Sequence, residues 1–200
     1  GYVYSMGSSV GGDAGIDTDG KFEINGGKVI ITPSYTTDIH TDLEKNCLSA
    51  GCSNYDILIL IPPTMVKDQQ FVNAKLWRDV GKINLIDGSN TSALETCTQT
   101  ELINSCRVYQ YESCRGLEGW ASVCYNLDEI IKYKYNDAKI ENIIGDPEKL
   151  KMQEAYQWIM MPLTRAIDTL VITINDTNSS IANLLREAAA QCADFVDCRI

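Results

Sequence analysis

Two short stretches of this chain carry residue types suited to chemistry on a charged ligand. The first is Leu163-Thr164-Arg165-Ala166, between a helical pattern and an apolar run over 169–174. An arginine fixed at the junction of a helix and a buried strand can reach across a gap to a phosphate. Its fork is planar, permanently charged and able to give paired hydrogen bonds. The plainer reading is an arginine placed near a helix C-terminus, where the helix dipole favours positive charge. The second stretch is Ser113-Cys114-Arg115-Gly116-Leu117-Glu118-Gly119-Trp120. It sets a hydroxyl, a cation and a carboxylate around a glycine, in a loop between two strand-like runs. Taken singly, Ser113, Arg115 and Glu118 are ordinary solvated loop residues. Trp120 reads first as a packing residue, with stacking on a base as the sharper alternative.

The elements that must position these stretches follow from hydrophobic periodicity. Val29-Ile30-Ile31 is a short apolar strand, and a helix over 38–50 follows with Ile39, Leu43 and Cys47 on one face and Gly51 ending it. Ile57-Leu58-Ile59-Leu60-Ile61 is apolar without alternation, as in a central parallel strand covered on both faces. The spacing of Val72, Leu76 and Val80 predicts a helix over 66–80, closed by Gly81. A strand is expected at 83–86, a polar loop over 87–100, and strands at 107–111 and 121–127. The charged and aromatic stretch 130–144 reads as an excursion outside the core. Asp146-Pro147-Glu148 has the form of a helix start, with an acidic cap and proline in the first turn. Met152, Tyr156, Ile159 and Leu163 then share one face of that helix. Ile181, Leu184, Leu185, Ala188 and Cys192 define a last amphipathic helix.

This alternation of strand and helix implies an α/β fold: a mainly parallel sheet with helices on both faces. Ligands of such sheets sit beyond the carboxyl ends of the strands, so both chemical stretches are expected there or at the adjoining helix ends. Residues 1–27, rich in glycine and serine, form an irregular lead-in, and residues 28–200 form the domain. A calcium loop at 13–20 is disfavoured, because the ligand spacing and closing glutamate of a helix-loop-helix site are missing.

Composition narrows the function classes. A net charge of −10 argues against nucleic-acid binding through a broad basic face. A small basic groove, or a site shared with another domain, is still allowed. No apolar run is long enough to span a bilayer, and no charged-then-apolar leader is present in the sequence, so a soluble cytoplasmic (intracellular) protein is expected. The eight cysteines include no Cys-x-x-Cys pair and read as reduced, mostly buried thiols. His40, the one histidine, lies beside an apolar helix face without a second ligand or a nucleophile and reads as structural. Tyr133 and Tyr135, interleaved with Lys132 and Lys134, form either a nucleic-acid contact or a solvated edge.

The two stretches, in this order and each followed by a strand, resemble motifs V and VI of superfamily 1 helicases of the UvrD/Rep-like group. The motif V likeness spans about 111–120, and Ser113-Cys114-Arg115-Gly116-Leu117-Glu118 carries it. The motif VI likeness spans about 156–170, and Leu163-Thr164-Arg165-Ala166-Ile167-Asp168-Thr169-Leu170 carries it. The resemblance implies a RecA-like, P-loop-NTPase-type sheet: the second such domain of a helicase. It implies that Arg165 is a catalytic arginine finger on the γ-phosphate of ATP and that Glu118 binds the ribose. Gly116 would let the backbone approach, and Thr164 would join the nucleotide site. Ser113 and Arg115 would contact single-stranded nucleic acid. ATP and Mg2+ are implied cofactors, held mainly by an N-terminal RecA-like domain.

Departures from the pattern matter. The chain has no Gly-x-x-x-x-Gly-Lys-Ser/Thr loop and no evident Walker-B acidic pair. No arginine precedes Arg78, Pro162 falls just before the motif VI arginine, and Ile167 replaces a common arginine. The expectation is therefore the C-terminal motor half of an ATP-dependent DNA or RNA helicase or translocase, inactive alone. The alternative is a non-catalytic helicase-like module that binds a protein partner. A third class, an unrelated nucleotide-binding α/β domain, would need a phosphate loop that this chain lacks.

Overall fold

One sheet of seven strands organises the computed structural model, which describes residues 27–67, 70–71, 83–139 and 146–200. In chain order the elements are β1 (Lys28–Thr32), α1 (Thr37–Ser49), β2 (Ile57–Ile61), β3 (Val66–Lys67), β4 (Gln70–Phe71), β5 (Leu85–Asp87), α2 (Thr91–Thr96), α3 (Gln99–Ile103) and β6 (Cys106–Gln110). They continue with β7 (Gly119–Cys124), α4 (Leu127–Asp137), α5 (Pro147–Leu163), β8 (Ala166–Thr173), α6 (Ser180–Gln191) and β9 (Val196–Cys198). The sheet order is β5-β6-β2-β7-β8-β1-β9, and every neighbouring pair is parallel. β3 and β4 form a separate two-residue antiparallel pair.

The apolar run of β2 explains its central place, because all five residues are buried between β6 and β7. Side chains alternate across a strand. Ile57, Ile59 and Ile61 therefore meet Ile39, Leu43 and Cys47 of α1 on one face. Leu58 and Leu60 join Ile130 of α4, Ala155 and Ile159 of α5, and Ile181 of α6 on the other. Covering both faces lets a parallel sheet be hydrophobic on both sides. The expected α/β sheet with helices on both faces is thus present.

Several local expectations are corrected. Stretch 130–144 is no excursion: its residues up to Asp137 lie in α4, where Leu127, Ile130 and Ile131 are buried. The polar loop at 87–100 holds α2 and the start of α3, which the Thr98–Glu101 capping box opens. Val66 and Lys67 pair with β4 rather than starting a helix, and the helical spacing at 72–81 lies outside the described residues, as do 1–26 and the calcium reading. The strand assigned to 169–174 begins three residues earlier, at Ala166. In α6 the buried face is Ile181, Ala182 and Ala189, while Leu184 and Ala188 are exposed. The edge strand β9 went unassigned because its three half-buried residues carry too little pattern. By contrast, α1 ends as expected, with Gly51 in the left-handed region beyond Ala50. Asp146 caps α5 by accepting from Glu148 N, with Pro147 in the first turn.

All eight cysteines are free thiols, and Cys47, Cys106, Cys114 and Cys124 are buried. Among the described residues no helix is long and apolar enough to cross a membrane.

Candidate site at the amino edge of the sheet

The loop 114–118 leaves the carboxyl end of β6 and must return to the start of β7 in a few residues. Its far end therefore lies at the amino edge of the sheet, where Gly119 pairs with Ala166 at the start of β8. Arg165, one residue before β8, lies at that same edge. Thr164-Arg165 stands at a helix end, as the sequence allowed, while the 113–120 stretch begins beyond the carboxyl end of β6 and runs to the amino edge, which corrects the placement of Glu118.

Within this edge the two stretches are bonded to each other. Gly119 N donates to Arg165 O at 3.0 Å. Arg165 Nη1 donates to Leu117 O at 3.2 Å, Nε to Met161 O at 2.9 Å, and Nη2 to Thr164 Oγ1 at 2.9 Å. Thr164 caps α5, its hydroxyl donating to Met161 O at 2.9 Å. A guanidinium has five N–H donors, so one on each terminal nitrogen is left uncommitted by these bonds. Arg165 is half-buried, while Glu118, Arg115, Ser113 and Gly116 are exposed. Gly116 sits at φ +76° with open space where a Cβ would stand. The glycine is thus needed for the left-handed turn rather than for crowding.

Pro162 is buried inside the last turn of α5 and leaves Trp158 O without its usual i+4 amide. The helix nevertheless continues to Leu163. Thr164 N and Arg165 N close the end with bonds to Met161 O (3.3 Å) and Pro162 O (3.2 Å).

Three further residues complete the site: Arg107 and Trp158, to which the sequence assigns no role, and Lys134, which the sequence places in a nucleic-acid contact or solvated edge and the structure buries. Arg107 of β6 donates from Nε to Tyr55 O at 2.6 Å and from Nη2 to Glu118 O at 2.7 Å, so it fixes the backbone that bears the Glu118 carboxylate. Lys134 of α4 is 9% exposed and pairs with Glu112 Oε1 at 2.9 Å, tying the turn before the loop to the helices. Its charge at a helix position flanked by tyrosines gave no sign of burial. Trp158 of α5 lies against Lys134 Nζ, which is 3.9 Å from the ring centroid.

Trp120 is half-buried and packs against the α1-side core, as its plainer reading required. His40 is buried, 2.6 Å from Tyr35 Oη through Nδ1 and 3.5 Å from Glu44 through Nε2. Burial lowers its pKa, opposed by the Glu44 carboxylate. The neutral ring with its proton on Nε2 satisfies both contacts, which is a structural use.

The carboxyl edge has a different character. Asp128 accepts from Asn175 N (3.0 Å) and Asp176 N (2.8 Å), and Glu129 accepts from Thr64 Oγ1 (2.8 Å) and Asn126 Nδ2 (2.6 Å). Among the described residues no group of three or more His, Cys, Asp or Glu is arranged to hold a metal ion. Comparison of the chain with protein-family models, with curated proteins and with solved structures found no match in any of the three.

Proposed function

We propose that this chain is the second RecA-like half of a nucleic-acid-stimulated ATPase, with Arg165 reaching a nucleotide carried mainly by another domain. The observation that carries the reading is the direct joint between the two stretches. Arg165 bonds to Leu117 O, and Glu118 follows Leu117 on a backbone that Arg107 holds. A cation with two uncommitted N–H donors and an exposed carboxylate therefore share one short rigid edge. Those groups fit the outer part of a nucleotide: the fork suits phosphate oxygens and the carboxylate suits ribose hydroxyls. Bound ATP with Mg2+ would supply the transferable phosphoryl group. This chain would contribute a fixed positive charge where negative charge spreads in the transition state.

A second reading, a non-catalytic module that binds a partner protein, is favoured by one observation. Three of the five guanidinium donors already serve Met161, Thr164 and Leu117. That is what a residue holding a helix end to a loop would do.

One experiment separates the two. In a polypeptide that joins this chain to a phosphate-loop domain, Arg165→Ala is expected to lower nucleic-acid-stimulated ATP turnover by about 10³-fold or more. Arg165→Lys is expected to restore little, because a point charge does not replace a fork. Unchanged turnover in Arg165→Ala assigns the residue to the joint alone.

A further inference from the structure

β9 closes one end of the sheet, and its outer side is set to take another strand. Val29 N donates to Phe195 O at 2.8 Å and Arg199 N donates to Ile31 O at 2.7 Å. The backbone polar groups of 195, 197 and 199 therefore face β1, and those of 196 and 198 face away from it. Val196 N turns back to Cys192 O at 3.0 Å. The N–H and C=O of Cys198 and the C=O of Val196 meet no partner among the described residues. Unpaired groups along an edge strand are a template for a further strand. The side chains divide by face. Val196, Cys198 and Ile200 pack toward the core under α6. Asp197 and Arg199 share the opposite face, joined from Nη2 to Oδ2 at 2.6 Å and still 41% and 45% exposed.

The run Val196-Asp197-Cys198-Arg199-Ile200 is complementary to its own reverse. Antiparallel pairing centred on Cys198 sets each Asp197 opposite the second copy's Arg199 on one face. On the other face it sets each Val196 opposite the second copy's Ile200. Centring on Asp197 or Arg199 would oppose like charges and call on backbone groups that already serve β1. Parallel pairing in register would set Asp197 beside Asp197. Charge and backbone direction thus select the same register.

We propose that this edge is an interface between two copies of the chain, paired across β9 about a two-fold axis at Cys198. The contact is isologous, the same patch meeting itself. The two Cys198 residues exchange both backbone bonds, as directly opposed residues of an antiparallel pair do. The two Asp197–Arg199 pairs join into one network of alternating charge, with opposite charges directly across the strands. A strand this short buries little area, so the association is weak and depends on concentration. β9 lies two strands beyond β8, so the inference stands apart from the Arg165–Glu118 joint and does not rest on the proposed function.

The test is sedimentation equilibrium of the chain across a concentration series. The mass is expected to rise from that of one copy toward that of two, and exchange of the Cys198 amide should slow in step with it. Asp197→Arg and Arg199→Asp each set like charges across the axis and should weaken self-association by about tenfold or more. Mixed in equal amounts, with one chain isotope-labelled for native mass spectrometry, the two variants should form a one-to-one dimer. Every cross-strand pair is then again of opposite sign, although neither chain has regained its internal Asp197–Arg199 bond. That recovery separates a contact between copies from a bond within one. Circular dichroism melts establish that each variant is folded. A native chain that keeps the mass of one copy throughout would overturn the proposal. So would single variants that associate as the native chain does, a mixture that fails to pair, or a Cys198 amide indifferent to the mass.

Discussion

Gly119 and Gly116 flank Glu118 at positions that differ in one physical respect, and replacing each by alanine separates two costs. A Cβ on Gly119 would stand 2.8 Å from Ala121 O, 2.8 Å from Asp56 O and 3.0 Å from Leu58 Cβ. Two of these atoms are backbone oxygens, one within β7 and one just before β2, so neither can swing away as a side-chain end would. β8 also carries an extra residue here, because Gly119 pairs with Ala166 and Ala121 with Thr169. That irregularity leaves little slack on one side. Overpacking of a tight site costs about 1–3 kcal/mol, and three close contacts, two of them with backbone oxygens, put Gly119→Ala at the upper end. At Gly116 a Cβ meets nothing, and only the φ of +76° resists substitution, which costs about 1 kcal/mol for a single residue. For a domain of this size the melting shifts are then ~5–10 °C for Gly119→Ala and ~2–4 °C for Gly116→Ala. Thermal melts followed by circular dichroism measure both. Gly116→Asn should recover part of its loss, since asparagine tolerates the left-handed region, while Gly119→Asn should be worse than Gly119→Ala. A Gly119→Ala protein that melts no lower than Gly116→Ala would refute the crowding argument and, with it, the rigidity claimed for the Arg165–Glu118 joint.

Two further outcomes bear on the core and on the thiols. Burial holds the His40 pKa below its ordinary 6.5, so the unfolded chain binds more protons between the two values. Stability is full above about 6.5 and falls as the pH drops toward the folded value, with a slope of at most about 1.4 kcal/mol per pH unit; urea unfolding from pH 7.5 to 5.5 should show this loss and His40→Gln should flatten it. Burial pushes the Cys47 thiol up to about 12 and raises Cys106 and Cys124 as well. Timed alkylation at pH 8 with mass mapping should label the half-buried Cys97, Cys192 and Cys198 first, and should reach the buried Cys47, Cys106 and Cys124 only as fast as the protein unfolds.

The sheet was legible wherever a run was apolar enough to be buried on both faces, as in Ile57 to Ile61, or punctuated strongly, as at Gly51 and Asp146-Pro147. It was not legible where tertiary contacts decide. Lys134 carries a full charge, and only the pairing with Glu112 across elements makes burial tolerable. β9 is three residues long and exists because β1 offers an edge. Thr164-Arg165 and Gly116-Leu117-Glu118 could be singled out by residue type. Their mutual contact could not, because it depends on the loop 114–118 doubling back along β7. Arg107, which holds the Glu118 backbone, looked like any basic residue opening a strand.

That doubling back also bears on where an anion can sit. The carboxyl edge carries Asp128 and Glu129, with their oxygens already taking backbone amides from the turn after β8 and side-chain donors from Asn126 before α4 and from the turn after β2. A phosphate arriving there would meet negative charge and find the nearby donors engaged. At the amino edge Arg165 keeps one donor on each terminal nitrogen, while Arg107 gives Nε to Tyr55 O and Nη2 to Glu118 O and lies 4.7 Å over the Tyr55 ring. The amino edge also carries the Glu118 carboxylate, so what it offers an anion is the direction of the Arg165 fork rather than an excess of positive charge. Under the proposed function, that fork would complete a phosphate site supplied by another domain, since this sequence has no phosphate loop.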